Sequence, residues 1–204
     1  MEINKRFTDK HVLITGGARG IGLEIARQFA AEGAVLSLLD YNEVNLVSAI
    51  KSLADNGALV YSYPIDISNK QQVTDTIAKA DAIKPIDVLI NNAGIAAETP
   101  FLNIEEEEWN NIININLTGM FFVAQSVCRL MAKRGKGVVV NMSSKNGLDG
   151  ELKHLHVQLY SNRKLLNLEA HPQDDHQVDL LHQHKEFHDL LLLVNQVQKL
   201  SPLQ

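Results

Sequence analysis

Glycine disappears from this chain after Gly150, although twelve occur up to that point. Cysteine is almost absent. Cys128 stands alone, so no intrachain disulfide can form, which fits a reducing compartment. A membrane-spanning helix needs roughly 20 apolar residues. The most apolar stretch near the end, Leu190 to Val194, is far shorter, and residues 1–7 lack the apolar core of a signal peptide. An excess of basic charge is missing too. The formal net charge of -5 argues against a nucleic-acid partner. These absences lead us to expect a cytoplasmic protein with neither a nucleic-acid nor a membrane partner.

What is present suits one sizeable α/β unit. The chain has 204 residues, 45% of them hydrophobic and 21% charged. Short apolar runs alternate with stretches of helical spacing. Strands are expected at 11–15, 34–39, 59–65, 86–90 and 138–141. Helices are expected at 21–31, 44–53, 71–83 and, as one long element, 105–133. Strands separated by helices of this length form βαβ units. The expected fold is therefore α/β, a doubly wound parallel sheet of the Rossmann type, covering residues 1–153.

The first strand runs into Thr15-Gly-Gly-Ala-Arg-Gly-Ile-Gly22, a glycine turn that opens a helix. Gly16 suits the tight turn, Gly20 a close approach of backbone to pyrophosphate, and Gly22 close packing of helix on sheet. The helix start, from Arg19, Gly20 and Ile21, offers free N–H groups and a positive dipole end. Asp40 ends the second strand, where a carboxylate accepts hydrogen bonds from ribose hydroxyls and repels an added phosphate. NAD is the expected cofactor. Arg19, which could pair with that phosphate, keeps NADP open. Asp66, after the third strand, is a further candidate for the adenine edge.

Gly-x-x-x-Gly-x-Gly, followed by Asn91-Asn-Ala-Gly94 after the fourth strand, resembles the short-chain dehydrogenase/reductase family over residues 8–153. The resemblance implies that Asn92, Ala93 and Gly94 line the cofactor site. It implies that Asn116, in Ile113-Asn-Ile-Asn-Leu-Thr-Gly119, is the active-site asparagine; Asn114 is the competing position. Ser144, at the end of Val138-Val-Val-Asn-Met-Ser-Ser144, matches the catalytic serine. The continuation Lys145-Asn-Gly147 looks most like polyol-type and sugar-phosphate-type members. The implied reaction is hydride transfer between nicotinamide and a small alcohol or carbonyl substrate. In the family a tyrosine exchanges the proton, a nearby lysine supplies positive charge, and the serine hydrogen-bonds the substrate oxygen.

The resemblance breaks after Gly150. Val157 stands where the family's tyrosine is expected, and Ser161 where its lysine is expected. Tyr160 and Lys164 do lie one helical turn apart, in Tyr160-Ser-Asn-Arg-Lys164. Two readings stay open. An insertion could carry a catalytic pair to Tyr160 and Lys164. Alternatively, residues 154–204 form an atypical tail from a reading-frame change, leaving an inactive nucleotide-binding fragment. Every histidine but His11 falls in that stretch. His182, His184 and His188 have ligand spacing, but no cysteine or second cluster joins them, and no metal is expected. No strand is legible after Lys164, so the sheet is expected to expose an edge on that side, which an amphipathic helix from Leu180-Leu181 and Leu190 to Val194 could cover, or else another subunit. The resemblance implies that a homo-oligomer would use the long helix from 105 onward together with the helix carrying the catalytic pair.

Overall fold

The computed structural model describes residues 5–96, 99–142 and a strand at 165–169. Its core is the expected parallel sheet. The strands are β1 (His11–Thr15), β2 (Val35–Asp40), β3 (Val60–Pro64), β4 (Val88–Asn91), β5 (Lys136–Asn141) and β6 (Leu165–Glu169). Their order is β3-β2-β1-β4-β5-β6. The first five are mutually parallel, with Leu13 paired to both Ser37 and Leu89. β6 runs antiparallel to β5, from Val140 opposite Leu165 to Lys136 opposite Glu169. This corrects the expectation of an uncovered β5 edge. A five-residue strand carries too little alternation to stand out in a leucine-rich tail. An antiparallel edge on a parallel sheet is a common arrangement.

Helices cover both faces, as alternating strands and helices require. On one face α1 (Gly20–Ala31) and α2 (Glu43–Ala54) bury Ile25, Phe29, Leu46 and Leu53 against Val12, Ile14, Leu36 and Leu38. On the other, α3 (Lys70–Ile83) and α5 (Met120–Arg134) bury Val73, Ile77, Val123 and Val127 against Leu13, Leu39, Leu89 and Val139. The central strands read as near-continuous apolar runs because both faces are buried.

Local chemistry explains most helix ends. Asn42 caps α2 by accepting from the Asn45 N–H, and Asn69 caps α3 by accepting from the Gln72 N–H. Gly135 stops α5 in the left-handed conformation, φ 69°. The expected long helix is a continuous run of 29 residues, Glu106–Arg134, but not a uniform one. α4 (Glu106–Ile113) and α5 are joined by a π-helical segment, Asn114–Gly119. By length and composition the run is apolar enough to cross a membrane. Here α5 packs on the sheet through Val123, Val127 and Met131.

Connections from β1 and β4 lead to opposite faces of the sheet. The crevice outside the carboxyl ends of these strands is the place where ligands bind in open α/β sheets.

Candidate cofactor and active site

The carboxyl end of β1 is built around contacts too close for a side chain. Gly16 takes a positive φ of 62°, and its N–H donates to the Leu39 carbonyl at 2.7 Å. At Gly22, a Cβ would overlap the Gly16 carbonyl oxygen. The helix can therefore start against the strand only because that Cβ is missing. Gly20 is different. Its φ is 54°, yet among the described residues nothing beyond its chain neighbours and its own helix backbone lies within 4 Å of where its Cβ would point. The chain has left open space over the first turn of α1. Unlike α2 and α3, α1 has no capping side chain, since Arg19 makes no such bond. The first N–H groups of α1 thus face this opening without a side-chain acceptor.

Asp40 lies beside the turn, only 8% exposed. Its Oδ2 accepts from the Ala18 N–H at 3.2 Å and its Oδ1 from the Asn42 N–H at 3.0 Å. The carboxylate is therefore oriented by backbone from both the glycine turn and the start of α2. Arg19 is exposed and follows Ala18 directly. Asp66 is exposed and accepts from the Ser68 N–H at 2.9 Å, stiffening its own loop. Ile65, just before it, donates its N–H to the Asp40 carbonyl, so the two acids stand on adjoining strand ends.

Sequence reasoning passed over Thr15, which organises this edge. Its buried Oγ1 accepts from the N–H groups of both Asn92 and Ala93 at 3.0 Å. Asn92 returns the contact, its Nδ2 donating to the carbonyls of Thr15 and Gly16 at 3.1 and 3.2 Å. The only signal was position, a polar residue ending a buried strand beside a glycine. Next to it, Asn91 Nδ2 donates to Asn141 Oδ1 at 2.9 Å across β4 and β5.

Asn116 sits inside the π segment. Its Oδ1 accepts from the Ile95 N–H at 2.8 Å and its Nδ2 donates to the Ile95 carbonyl at 2.7 Å. The amide clamps one peptide of the loop that follows Gly94. The competing Asn114 is exposed. Single π turns inside α-helices recur at functional sites, and this one carries the asparagine picked out by the motif.

The structure thus gathers Gly16, Arg19, Gly20, Ile21, Gly22, Asp40, Asp66, Asn92, Ala93, Gly94 and Asn116 at the carboxyl edge of the sheet. Ser144, Tyr160, Lys164 and the histidines of the tail lie outside the described residues. A surface hollow lined by Glu105, Glu107, Asn110 and Asn114 shares none of the gathered residues.

The parallel sheet with helices on both faces, its glycine-rich βα turn, an acid ending the second strand and an amide-rich β4 end define an α/β unit of the Rossmann class. The short chain dehydrogenase family model matches residues 10–164, and the chain belongs to that family. Among curated relatives, 5-keto-D-gluconate 5-reductase of Escherichia coli strain K12 is 36% identical over 136 residues, 66% of this chain and 54% of the relative. The 3-oxoacyl-(acyl-carrier-protein) reductase FabG of Thermotoga maritima is 37% identical over 146 residues, 71% of this chain and 59% of the relative. Among solved structures, NAD+-bound xylitol dehydrogenase superposes with a TM-score of 0.71 at 32% identity, covering 75% of this chain and 60% of that one. The chain therefore spans between half and two thirds of the length of these relatives.

Proposed function

We propose that this chain binds a nicotinamide dinucleotide, NAD in preference to NADP, and acts as an oxidoreductase on a small alcohol or carbonyl compound. The observation that carries the reading is the pairing of open space over Gly20 with the backbone-held carboxylate of Asp40. The residues present fit the cofactor. A pyrophosphate suits the uncapped start of α1, and an adenosine ribose suits Asp40, whose charge disfavours a further phosphate. Asp66 would flank the adenine, and Asn92, Ala93 and Gly94 the nicotinamide half. Bound cofactor would supply the hydride acceptor or donor.

The substrate class rests on relatives that reduce a keto-gluconate or oxidise polyols, including galactitol 2-dehydrogenase (L-tagatose-forming) of Cereibacter sphaeroides. In this reading Ser144 hydrogen-bonds the substrate oxygen and Tyr160 exchanges its proton. Lys164 lowers the tyrosine pKa, while Asn116 holds the loop beside them. Free tyrosine titrates near about 10, so such a neighbour is needed for work near neutrality. The protein would work in the cytoplasm. Leu117 and Phe121, exposed on the long helix, suit a homo-oligomer.

A second reading is favoured by the loss of glycine after Gly150 and by Val157 and Ser161 at the expected tyrosine and lysine positions. In it the chain binds the dinucleotide and turns nothing over. One experiment separates the two. NADH fluorescence is titrated with the protein, and turnover is followed over a panel of keto-sugar acids, ketoses and polyols. Binding with turnover that Tyr160→Phe abolishes supports the enzyme. Binding without turnover supports the second reading, and failure to bind either dinucleotide overturns both.

A further inference from the structure

His11 begins β1 with its side chain wholly buried, at the end of the strand opposite the cofactor site. Its Nδ1 lies 2.6 Å from the Lys84 carbonyl oxygen, which can only accept, so Nδ1 carries the proton. Its Nε2, 2.8 Å from Ser37 Oγ, is then the acceptor and the serine hydroxyl the donor. The pattern is complete for a neutral ring. The His11 N–H also donates to Asp87 Oδ2 at 2.9 Å. One residue therefore ties β1 to β2, to the end of α3 and to the approach to β4.

The charged groups around it are already engaged or opposed. Asp81 is held by Arg134 of α5 at 2.8 Å and accepts from the Ile86 N–H. Asp87 is spent on the His11 backbone. Lys84 repels an added positive charge, while Asp81 and Asp87 attract one. Two tyrosines of β3 also face this side of β2: Tyr61 stands opposite Ser37 in the register, and Tyr63 lies near the same serine; burial, the largest influence, pushes the Tyr63 hydroxyl pKa up, and Ser37 opposes that rise. Burial is the largest influence on His11 and pushes its pKa down. A protonated ring would also set Nε2–H against the Ser37 hydroxyl proton unless that hydroxyl turned away.

We propose that His11 is an acid-sensitive latch at the amino end of the sheet, closed around the neutral ring and released when the ring takes up a proton. β1 runs directly from His11 into Thr15 and Gly16. Release of the latch therefore reaches the glycine turn, and dinucleotide affinity falls together with fold stability in mild acid. The sign follows from the direction of the shift. The folded pKa lies below the ordinary value of about 6.5. The latch is intact above that value, and stability is lost as pH falls from it toward the folded pKa.

The test is urea unfolding of the full chain from pH 8 to pH 5, beside His11→Gln and Ser37→Ala. Between pH 6.5 and the folded pKa, the unaltered chain should lose up to about tenfold in its folding constant per pH unit relative to His11→Gln. Ser37→Ala should weaken the fold at pH 8. Parallel pH profiles for the unaltered chain and His11→Gln overturn the proposal. Should His11→Gln fail to fold, the histidine ring signals of the unaltered chain decide by NMR, with His11 assigned as the signal that Ser37→Ala moves. A His11 ring that titrates near the ordinary value while the fold persists overturns the latch; one that stays neutral until the fold opens supports it. The affinity arm rests on the proposed cofactor site, the stability arm does not. Absence of NADH binding at every pH therefore refutes the site and leaves the unfolding result to judge the latch. NADH affinity that holds from pH 7 to pH 5.5 while stability falls overturns the coupling.

Discussion

Gly22 lies so close to Gly16 that a methyl group on it would overlap the Gly16 carbonyl oxygen. The same methyl would stand 2.6 Å from Asn92 Nδ2. Both obstacles are held, one by the backbone of the turn and the other by hydrogen bonds to Thr15 and Gly16. Gly22→Ala should therefore push α1 away from the sheet. Overpacking of this kind costs about 1–3 kcal/mol. Urea unfolding should show that loss, and NADH titration should show weakened binding; unchanged stability would contradict the close packing.

Asp40 should control which dinucleotide is preferred. Asp40→Ala removes the charge that disfavours a ribose phosphate and frees the Ala18 N–H. The ratio of NADP to NAD affinity should rise at least about tenfold, or ~1.4 kcal/mol. Arg19→Ala in the same background should reverse part of the gain, as measured by competition against NADH fluorescence.

Thr15 should prove costlier to change than its size suggests. Thr15→Val keeps the shape but strands the N–H groups of Asn92 and Ala93, which are held at 3.0 Å. Leaving buried donors unmatched costs roughly 1–3 kcal/mol each at most. Thr15→Ser retains the oxygen and should recover most of the lost stability in thermal unfolding. Equal stability for the valine and serine forms would count against the network.

Asn116 should matter through the peptide it grips. Asn116→Leu removes both bonds to Ile95, one of them donated by the side chain and one accepted. Asn116→Asp keeps the acceptor but faces a carboxylate oxygen against the Ile95 carbonyl. Both variants should loosen residues 94–96, seen as faster amide exchange there. Global stability should change less, because Ile95 and Asn116 are only part-buried.

Cys128 should be a sluggish thiol. It is half-buried on α5, and burial raises its pKa. Thiolate is the reactive form, so little is available near neutrality. Labelling by a disulfide reagent at pH 8 should run at least about tenfold slower in the folded chain than in urea. Equal rates would show that the thiol is open to solvent.

Most of the sheet was legible because its residues obey one rule over short distances. His11–Thr15 is apolar, bounded, and followed by glycine, and the strand falls where the pattern puts it. Asn42 and Asn69 sit just before their helices and shift the starts by a single residue. The glycines of the turn and Asp40 could be picked out by spacing along the chain, and the structure brings them together at the ends of β1 and β2. What stayed hidden depends on partners distant in sequence. Thr15 acquires its role from Asn92 and Ala93, and His11 from Ser37 and Lys84. The π segment leaves no mark in composition, since Ile113 to Gly119 reads as ordinary helix. β6 is too brief to show alternation.

That π segment turns the residue count between Ile113 and Met120 into a rotational setting. A residue of α-helix corresponds to roughly 100° of rotation about the axis. The wider π turn absorbs one extra residue, so winding Asn114–Gly119 as plain α-helix with every residue kept would swing α5 by about that angle. Val123, Val127 and Met131 would then leave the sheet, and Asn116 would lose its aim at Ile95. The π turn thus holds the asparagine toward Ile95 and the apolar stripe toward the core with a single extra residue.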